Sequence, residues 1–275
     1  MIPGRLSLVL PAHNEVDNLA PVVRRALDVL PCLVADFQIV IVDDGSRDGT
    51  GALADELAAS DPRITVVHHP RNRGYGAALT SGFAAATGDY IMFMDSDQQF
   101  DIADLSFLVP FVGQYDLVAG YRIARQDARY RIVYAWIFNL AVRILFGVRL
   151  RDVDCAFKVF RADLLRAIDL TSPGALINTE ILAKAERAGA TWTEVGVNHY
   201  PRPAGASSGG SPRVVVRAVK ETIALWLRMR DYTPPIGVTS GGPPPRRLGI
   251  GQGSVLGAIV GALASLGLLT RRGRR

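Results

Sequence analysis

Short apolar runs, each closing on a polar motif, alternate with segments of helical spacing along the first half of the chain. Few folds accommodate that order. The runs are RLSLVL (5–10), FQIVIV (37–42), ITVVHH (64–69), YIMFM (90–94) and DLVAGY (116–121). Each is brief and rich in β-branched or large apolar residues, the pattern of buried strands. Between them apolar residues recur at helical intervals, as at Val22, Val23, Ala26, Leu27 and Leu30. A βαβα order predicts a mainly parallel sheet covered on both faces. Ligands of such sheets bind outside the carboxyl ends of the strands. PAHNE, DDGSRDGT, PRNRGYG and DSDQQ follow the first four strands in turn, so four polar loops are expected along one edge.

The loop after the fourth strand is the most informative. Asp95 and Asp97 leave it with only Ser96 between them. Two anions so close raise each other's pKa unless a cation joins them. A plain turn with Asp101 capping the next helix would explain the polarity but not the pairing. In DDGSRDGT, Asp48 or Thr50 suits a helix cap, whereas a second acid at Asp43-Asp44 adds nothing to a turn. GYGAAL (74–79) lacks the third glycine of a dinucleotide fingerprint, Leu79 standing in its place, so its glycines are expected to admit a flat ligand close to the backbone.

The 275 residues suffice for one large α/β domain and an appendage. A formal net charge of +5 suits an anionic partner. Nothing calls for nucleic acid. Two cysteines, Cys32 and Cys155, make no disulfide framework and suit a reducing compartment. His68-His69 has no metal-ligand spacing with them. The N-terminal apolar stretch meets Asn14 and Glu15 too soon for a signal peptide, so the catalytic part is expected in the cytoplasm.

Beyond residue 121 the composition changes. Residues 121–151 carry seven arginines against one acid, Asp127, and 132–148 is apolar almost all round, with Asn139 and Arg143 as polar breaks. Arginines at both ends and embedded aromatics predict a helix at about 130–149 lying on anionic lipid. DCAFKVFR (154–161) reads as a strand, 177–189 as a helix, 191–200 as a strand, 201–212 as a Gly/Ser-rich loop and 212–230 as a helix. The domain is thus expected to run from 1 to 231, followed by a Pro/Gly linker (232–248), an apolar segment (249–270) and a basic tail (271–275). The 21 residues from Ile250 would make a helix of about 31 Å, the length of a bilayer span. Gly257 and Gly261 have the small-xxx-small spacing of associating helices, which leaves a homo-oligomer open. Arginines at both ends leave its orientation undecided.

Carboxylates at 95 and 97 suit a hard divalent cation, Mg²⁺ or Mn²⁺, able to neutralise a diphosphate. Asp44 suits hydrogen bonds from a base or ribose, and the donor would then be a nucleoside-diphosphate sugar. In these motifs the chain resembles the family 2 glycosyltransferases of the GT-A fold, particularly the polyprenyl-phosphate mannosyl- and glucosyltransferases. LPAHNE, VDDGSRDGT, NRGYGAAL, MDSDQQ, DVDCAFKVFR and HYPRPAGAS carry the resemblance over about 6–208. It implies a nucleotide-sugar-binding α/β fold and a metal motif at Asp95, Asp97 and Gln99. It implies a nucleotide pocket at Pro11, Ala12, Glu15, Asp44 and Gly76, with Asp95 beside it. Arg202, Gly205 and Ser207 would form a loop closing over the diphosphate. Arg122 and Arg131 would hold the acceptor phosphate, with Ser207 nearby. Ala135 and Ala156 depart from the family's usual serine and glycine, which bears on acceptor fit.

The implied reaction is an inverting displacement of a hexose from a GDP- or UDP-sugar onto a polyprenyl phosphate at the cytoplasmic membrane face. The phosphate nucleophile is already ionised, so the demand is for positive charge: the metal, Arg122, Arg131 and Arg202. The alternative is a hydroxyl acceptor, a glycan or lipid head group, with Glu180 of NTE as general base. A catalytically dead binding protein has no need of the intact acidic motif, and a nicotinamide dehydrogenase would require the missing glycine.

Overall fold

The computed structural model describes residues 1–123, 129–203, 212–235 and 237. Seven strands form one sheet: β1 (Ile2–Ala12), β2 (Val34–Asp43), β3 (Ile64–His68), β4 (Tyr90–Met94), β5 (Leu117–Ile123), β6 (Phe157–Arg161) and β7 (Trp192–Asn198). Their order is β3-β2-β1-β4-β6-β5-β7. The β1–β2, β1–β4, β2–β3 and β5–β7 pairs are parallel, and β6 alone runs against its neighbours. The expected α/β class and mainly parallel sheet are therefore present.

Helices α1 (Val16–Leu33) and α2 (Thr50–Ser60) pack together, while α3 (Tyr75–Ala85) meets α6 (Ala162–Ala167) and α7 (Ile177–Arg187). The sheet grows outward from β1 to β3 and then crosses back to β4, and crossovers of one hand that run in opposite directions along a sheet place their helices on opposite faces. That double covering explains the continuous apolar runs: Leu6, Leu8, Val9 and Leu10 of β1 have no exposed surface. At Gly82 of α3 a side chain would run into Val9 and Val42, so only glycine lets the helix lie this close to β1 and β2.

The short α4 (Leu105–Leu108) follows Asp101, whose carboxylate accepts from Ala103 N at 2.9 Å. Neither Asp48 nor Thr50 is the cap of α2, a position that Gly49 holds, but Asp48 just before it accepts from Thr50 N at 3.0 Å. Two helices complete the chain, α5 (Arg129–Phe146) and α8 (Pro212–Arg230). In α5, Val142 is buried in the core, whereas Trp136 and Ile137 are exposed. Asn139, a polar break in that helix, donates to Arg151 O at 2.8 Å and so ties α5 to the segment before β6. Among the described residues no helix is long and apolar enough to cross a membrane. The expected span at 249–270, Gly257 and Gly261, and all but a few residues of the linker lie outside the described residues.

Candidate active site

β1 and β4 are neighbours, yet β2 and β3 lie on the other side of β1. The strand order therefore reverses between β1 and β4, and that switch point is where a ligand crevice forms in such sheets. The ends of β1, β2 and β4 are joined there by hydrogen bonds. Pro11 O accepts from the Ser96 hydroxyl at 2.8 Å, and Ala12 O accepts from Asp44 N at 2.9 Å. These contacts use the main chain of Pro11 and Ala12 to hold the acidic loops in place.

Asp97 is buried, and Asp95 is half-buried beside it. Burial raises the Asp95 carboxyl to about 7, and the neighbouring Asp97 charge adds to it, while the Tyr75 hydroxyl, Arg122 and Lys158 oppose the rise. Asp97 is also raised, by burial first and by Glu15 in addition, against the Gln99 N–H and Arg202. Tyr75 donates its hydroxyl to Asp95 Oδ1 at 2.9 Å. Gln99 donates its backbone N–H to Asp97 Oδ1 at 3.1 Å, and its side-chain amide donates to Tyr200 O at 3.3 Å.

Arg202 reaches into this acidic cluster. Its Nη2 contacts Glu15 Oε1 and its Nη1 lies 3.3 Å from Asp97 Oδ2. Glu15 in turn accepts from Asn18 at 2.6 Å through its other oxygen. A guanidinium thus stands between two carboxylates, a cation in an anionic crevice. Among the described residues no three His, Cys, Asp or Glu side chains form a ready-made metal cage. Two carboxylates with raised pKa values and a charge-compensating arginine are nonetheless a fitting donor set for Mg²⁺ or Mn²⁺, which take one or two carboxylates and complete their shell with water and phosphate oxygens.

The remaining residues named from sequence are less uniform. Asp44 is almost fully buried, and its carboxylate is held by the protein itself: it accepts from His69 Nδ1 at 2.6 Å, Arg73 N at 2.9 Å and Gly74 N at 2.8 Å. The Ser81 hydroxyl lies 2.8 Å from the other nitrogen of His69. The glycines of 74–79 were expected to bring the backbone close to a flat ligand; what lies against Gly76 is the chain's own backbone. A side chain at Gly76 would strike the carbonyls of Ser172 and Gly174, and Gly76 N donates to Pro173 O at 2.8 Å. Arg122 makes a bidentate pair with Asp152, both contacts 2.7 Å, which raises its pKa further. Arg131 lies in the first turn of α5, and Gly205 and Ser207 fall outside the described residues.

Glu180 corrects the hydroxyl-acceptor reading. It has no exposed surface, and its oxygens accept from Thr171 N, the Thr171 hydroxyl, Ser172 N and the Lys184 ammonium. Burial pushes its pKa up, but those donors together hold it below the usual carboxylate value. A carboxylate so enclosed has no lone pair to offer an incoming hydroxyl proton, so Glu180 does not suit a general base. Residues that sequence reasoning passed over complete the crevice: Tyr75, quoted only as part of a motif, and Lys158, buried on β6 and donating to Val153 O at 3.0 Å. A lysine inside an apolar strand was the available signal for the second, since such a charge needs a partner.

An α/β sheet with paired carboxylates at its switch point defines a nucleotide-handling enzyme fold, and comparison with known proteins narrows it. Residues 7–182 match the model of glycosyl transferase family 2, and the chain belongs to that family. It is 32% identical over 219 residues to undecaprenyl-phosphate mannosyltransferase of Micrococcus luteus, covering 75% of this chain and 88% of that one. It is 35% identical over 207 residues to glycosyltransferase AglD of Haloferax volcanii, covering 72% of this chain but only 33% of that much longer protein. Among solved structures, glucosyl-3-phosphoglycerate synthase of Mycobacterium tuberculosis, crystallised with Mn²⁺, UDP and phosphoglyceric acid, superposes with a TM-score of 0.61 at 22% identity. That likeness covers 85% of this chain and 80% of the other, and it is one of fold.

Proposed function

We propose that this protein transfers a hexose from a nucleoside-diphosphate sugar, GDP- or UDP-linked, to a polyprenyl phosphate at the cytoplasmic face of a membrane. The observation that carries the reading is the Glu15–Arg202–Asp97 bridge beside Asp95 at the switch point. It supports the reading because a positive group and two metal-suited carboxylates would together suit a diphosphate. The name of the Micrococcus relative supports the acceptor, and the Mn²⁺ and UDP bound by the Mycobacterium enzyme support the donor.

In this reading Asp95 and Asp97 hold a divalent cation, with Gln99 beside them. That cation would supply charge to stabilise the departing diphosphate. Arg202 leaves Glu15 and Asp97 to donate to the diphosphate oxygens, and Ser207 is assigned to the acceptor phosphate. Pro11, Ala12 and Glu15 frame the nucleotide, and Asp44 and Gly76 serve it from behind by fixing the loop that opens α3. A phosphate oxygen of the acceptor attacks the anomeric carbon as the bond to the diphosphate breaks on the opposite side, inverting the centre. No proton has to be removed from that nucleophile. Arg122 and Arg131 steady the acceptor phosphate, and the Asp152 carboxylate fixes Arg122 for this by gripping two of its nitrogens.

The membrane enters through the exposed apolar residues Trp136 and Ile137 of α5 and Ile223, Trp226 and Leu227 of α8, set among arginines. The segment 249–270 serves as an additional anchor. The deciding experiment supplies purified protein, a polyprenyl phosphate in vesicles and a panel of labelled nucleotide sugars. Label should become lipid-extractable in a form released by mild acid, as a sugar phosphodiester is. An acid-stable glycoside would overturn the phosphate acceptor, and absence of transfer from every sugar would overturn the proposal as a whole.

A further inference from the structure

The first turn of α3 has no capping side chain of its own, since Gly74 stands at its N-cap. Its open N–H groups need acceptors from elsewhere. Pro173 O supplies them, accepting from Gly76 N at 2.8 Å and Ala77 N at 3.2 Å. The segment carrying Pro173 is itself held by Glu180, which takes Thr171 N at 3.1 Å and Ser172 N at 2.7 Å. Lys184 both pairs with Glu180 at 2.8 Å and donates to Asp169 O. One residue into the turn so capped, Tyr75 donates to Asp95. Three links, joined to one another through the chain, therefore run from α7 to the acidic motif.

From this path we infer that Glu180 is a positioning residue: through Thr171, Ser172 and the Pro173 carbonyl it sets the start of α3, and hence the Tyr75 hydroxyl on Asp95. The inference rests on the proposed role of Asp95 toward the diphosphate. Asp44 holds the same turn from the opposite side through Arg73 N and Gly74 N, so α3 begins between two buried carboxylates. A glycine at 76 is required because the carbonyls of Ser172 and Gly174 close directly upon it. Slackening either side displaces a hydroxyl that must meet one particular oxygen, and small displacements of this kind cost up to about a hundredfold in rate.

The test has two parts, the first independent of any activity. Amide exchange is followed in the parent, Glu180→Gln and Tyr75→Phe. Gly76 and Ala77 should exchange at least about tenfold faster in Glu180→Gln and remain protected in Tyr75→Phe. Unchanged exchange in Glu180→Gln would overturn the inference even if the parent proved inactive on every sugar. The second part is a double-mutant cycle on kcat. Glu180→Gln should lower kcat about tenfold with KM for the acceptor little changed, and should add almost nothing in a Tyr75→Phe background. Additive losses would mean that Glu180 acts through general stability and would sink the path through Tyr75. Where Glu180→Gln fails to fold, Glu180→Gln with Lys184→Met leaves no uncompensated buried charge and carries the same two readouts.

Discussion

Replacing Arg202 with glutamine should separate two effects of one side chain. In the ligand-free protein its guanidinium joins Glu15 and Asp97, and its side chain is 21% exposed. Its removal leaves those carboxylates facing each other beside Asp95, with no compensating charge between them. Breaking a partly buried pair of this kind costs about 2 kcal/mol once solvent screening is allowed for. For a domain of this size that is a fall of roughly 4–8 °C in Tm, measured by thermal denaturation in chelator. Mn²⁺ should then act in opposite ways on stability and rate. In the parent it must displace the guanidinium, whereas in the variant the site stands open, so Mn²⁺ alone should raise Tm more in the variant than in the parent. Turnover should nevertheless fall about 10²–10³-fold, because a donor to the leaving diphosphate is lost. Arg202→Lys should recover most of the stability and little of the rate, since an ammonium does not span two oxygens as a fork does. A variant as stable as the parent in chelator, with the same response to Mn²⁺, would refute the idea that Arg202 stands in for the cation.

Asp97→Asn should lower kcat about 10²–10³-fold, with Tm moving by no more than about 4 °C, because the lost charge is one the fold holds at a cost; wild-type turnover in excess chelator would remove the metal assignment. Cation binding should depend on pH in a direction set by the raised carboxyls. The Asp95 carboxyl titrates at about 7, above its ordinary value. The ligand-free fold therefore loses stability as pH climbs from the ordinary carboxylate range through 7, and Mn²⁺ affinity, read by calorimetry, should rise about tenfold per pH unit over the same window. A flat affinity between pH 5.5 and 7 would contradict the burial that raises Asp95. A chain ending at Arg247 should still bind anionic vesicles, weakly at about 0.5 M salt, and Trp136→Ala with Trp226→Ala should abolish the binding. If that chain floats free even at low salt, α5 and α8 do not rest on lipid.

Most of the fold was legible because its strands are buried on both faces. YIMFM was read as 90–94 and is β4 to the residue, while RLSLVL marked only the middle of β1, whose ends reach Ile2 and Ala12. Those ends carry Pro3 and Gly4 on one side and Pro11 on the other, residues that discourage a strand assignment: Pro11 pairs with Val42 of β2, whereas Pro3 and Gly4 lie where the register with β2 shifts, Gly4 at a φ of +85°. The reversal of β6 was not legible. FKVFR has the composition of a buried strand in either direction, and only its pairing with β4 and β5 gives it a sense. The apolar stretch at 132–148 was expected to lie on lipid, and its described part divides: Val142 enters the core, while Trp136 and Ile137 face outward.

At the site the side chains that bear charge were visible and the donors that hold them were not, because a backbone N–H has no letter. Asp44 was recognised as an acid with a task, but its partners Arg73 N and Gly74 N depend on where a loop turns. The same limit left the reading of NTE open, with Glu180 a base only under the alternative acceptor. A carboxylate in the first turn of a helix suits a general base or a strut equally well, and the two differ only in whether its oxygens are reachable. Thr171, Ser172 and Lys184 enclose those of Glu180, so a role in deprotonating an acceptor would require the enzyme to break several hydrogen bonds and an ion pair before each turnover. An acceptor that arrives already ionised makes no such demand. The enclosure of Glu180 and the positive charges of Arg122 and Lys158 toward Asp95 and of Arg202 toward Asp97 therefore favour the same acceptor on independent grounds: the first disfavours a nucleophile that needs a base, and the second favours one that brings negative charge.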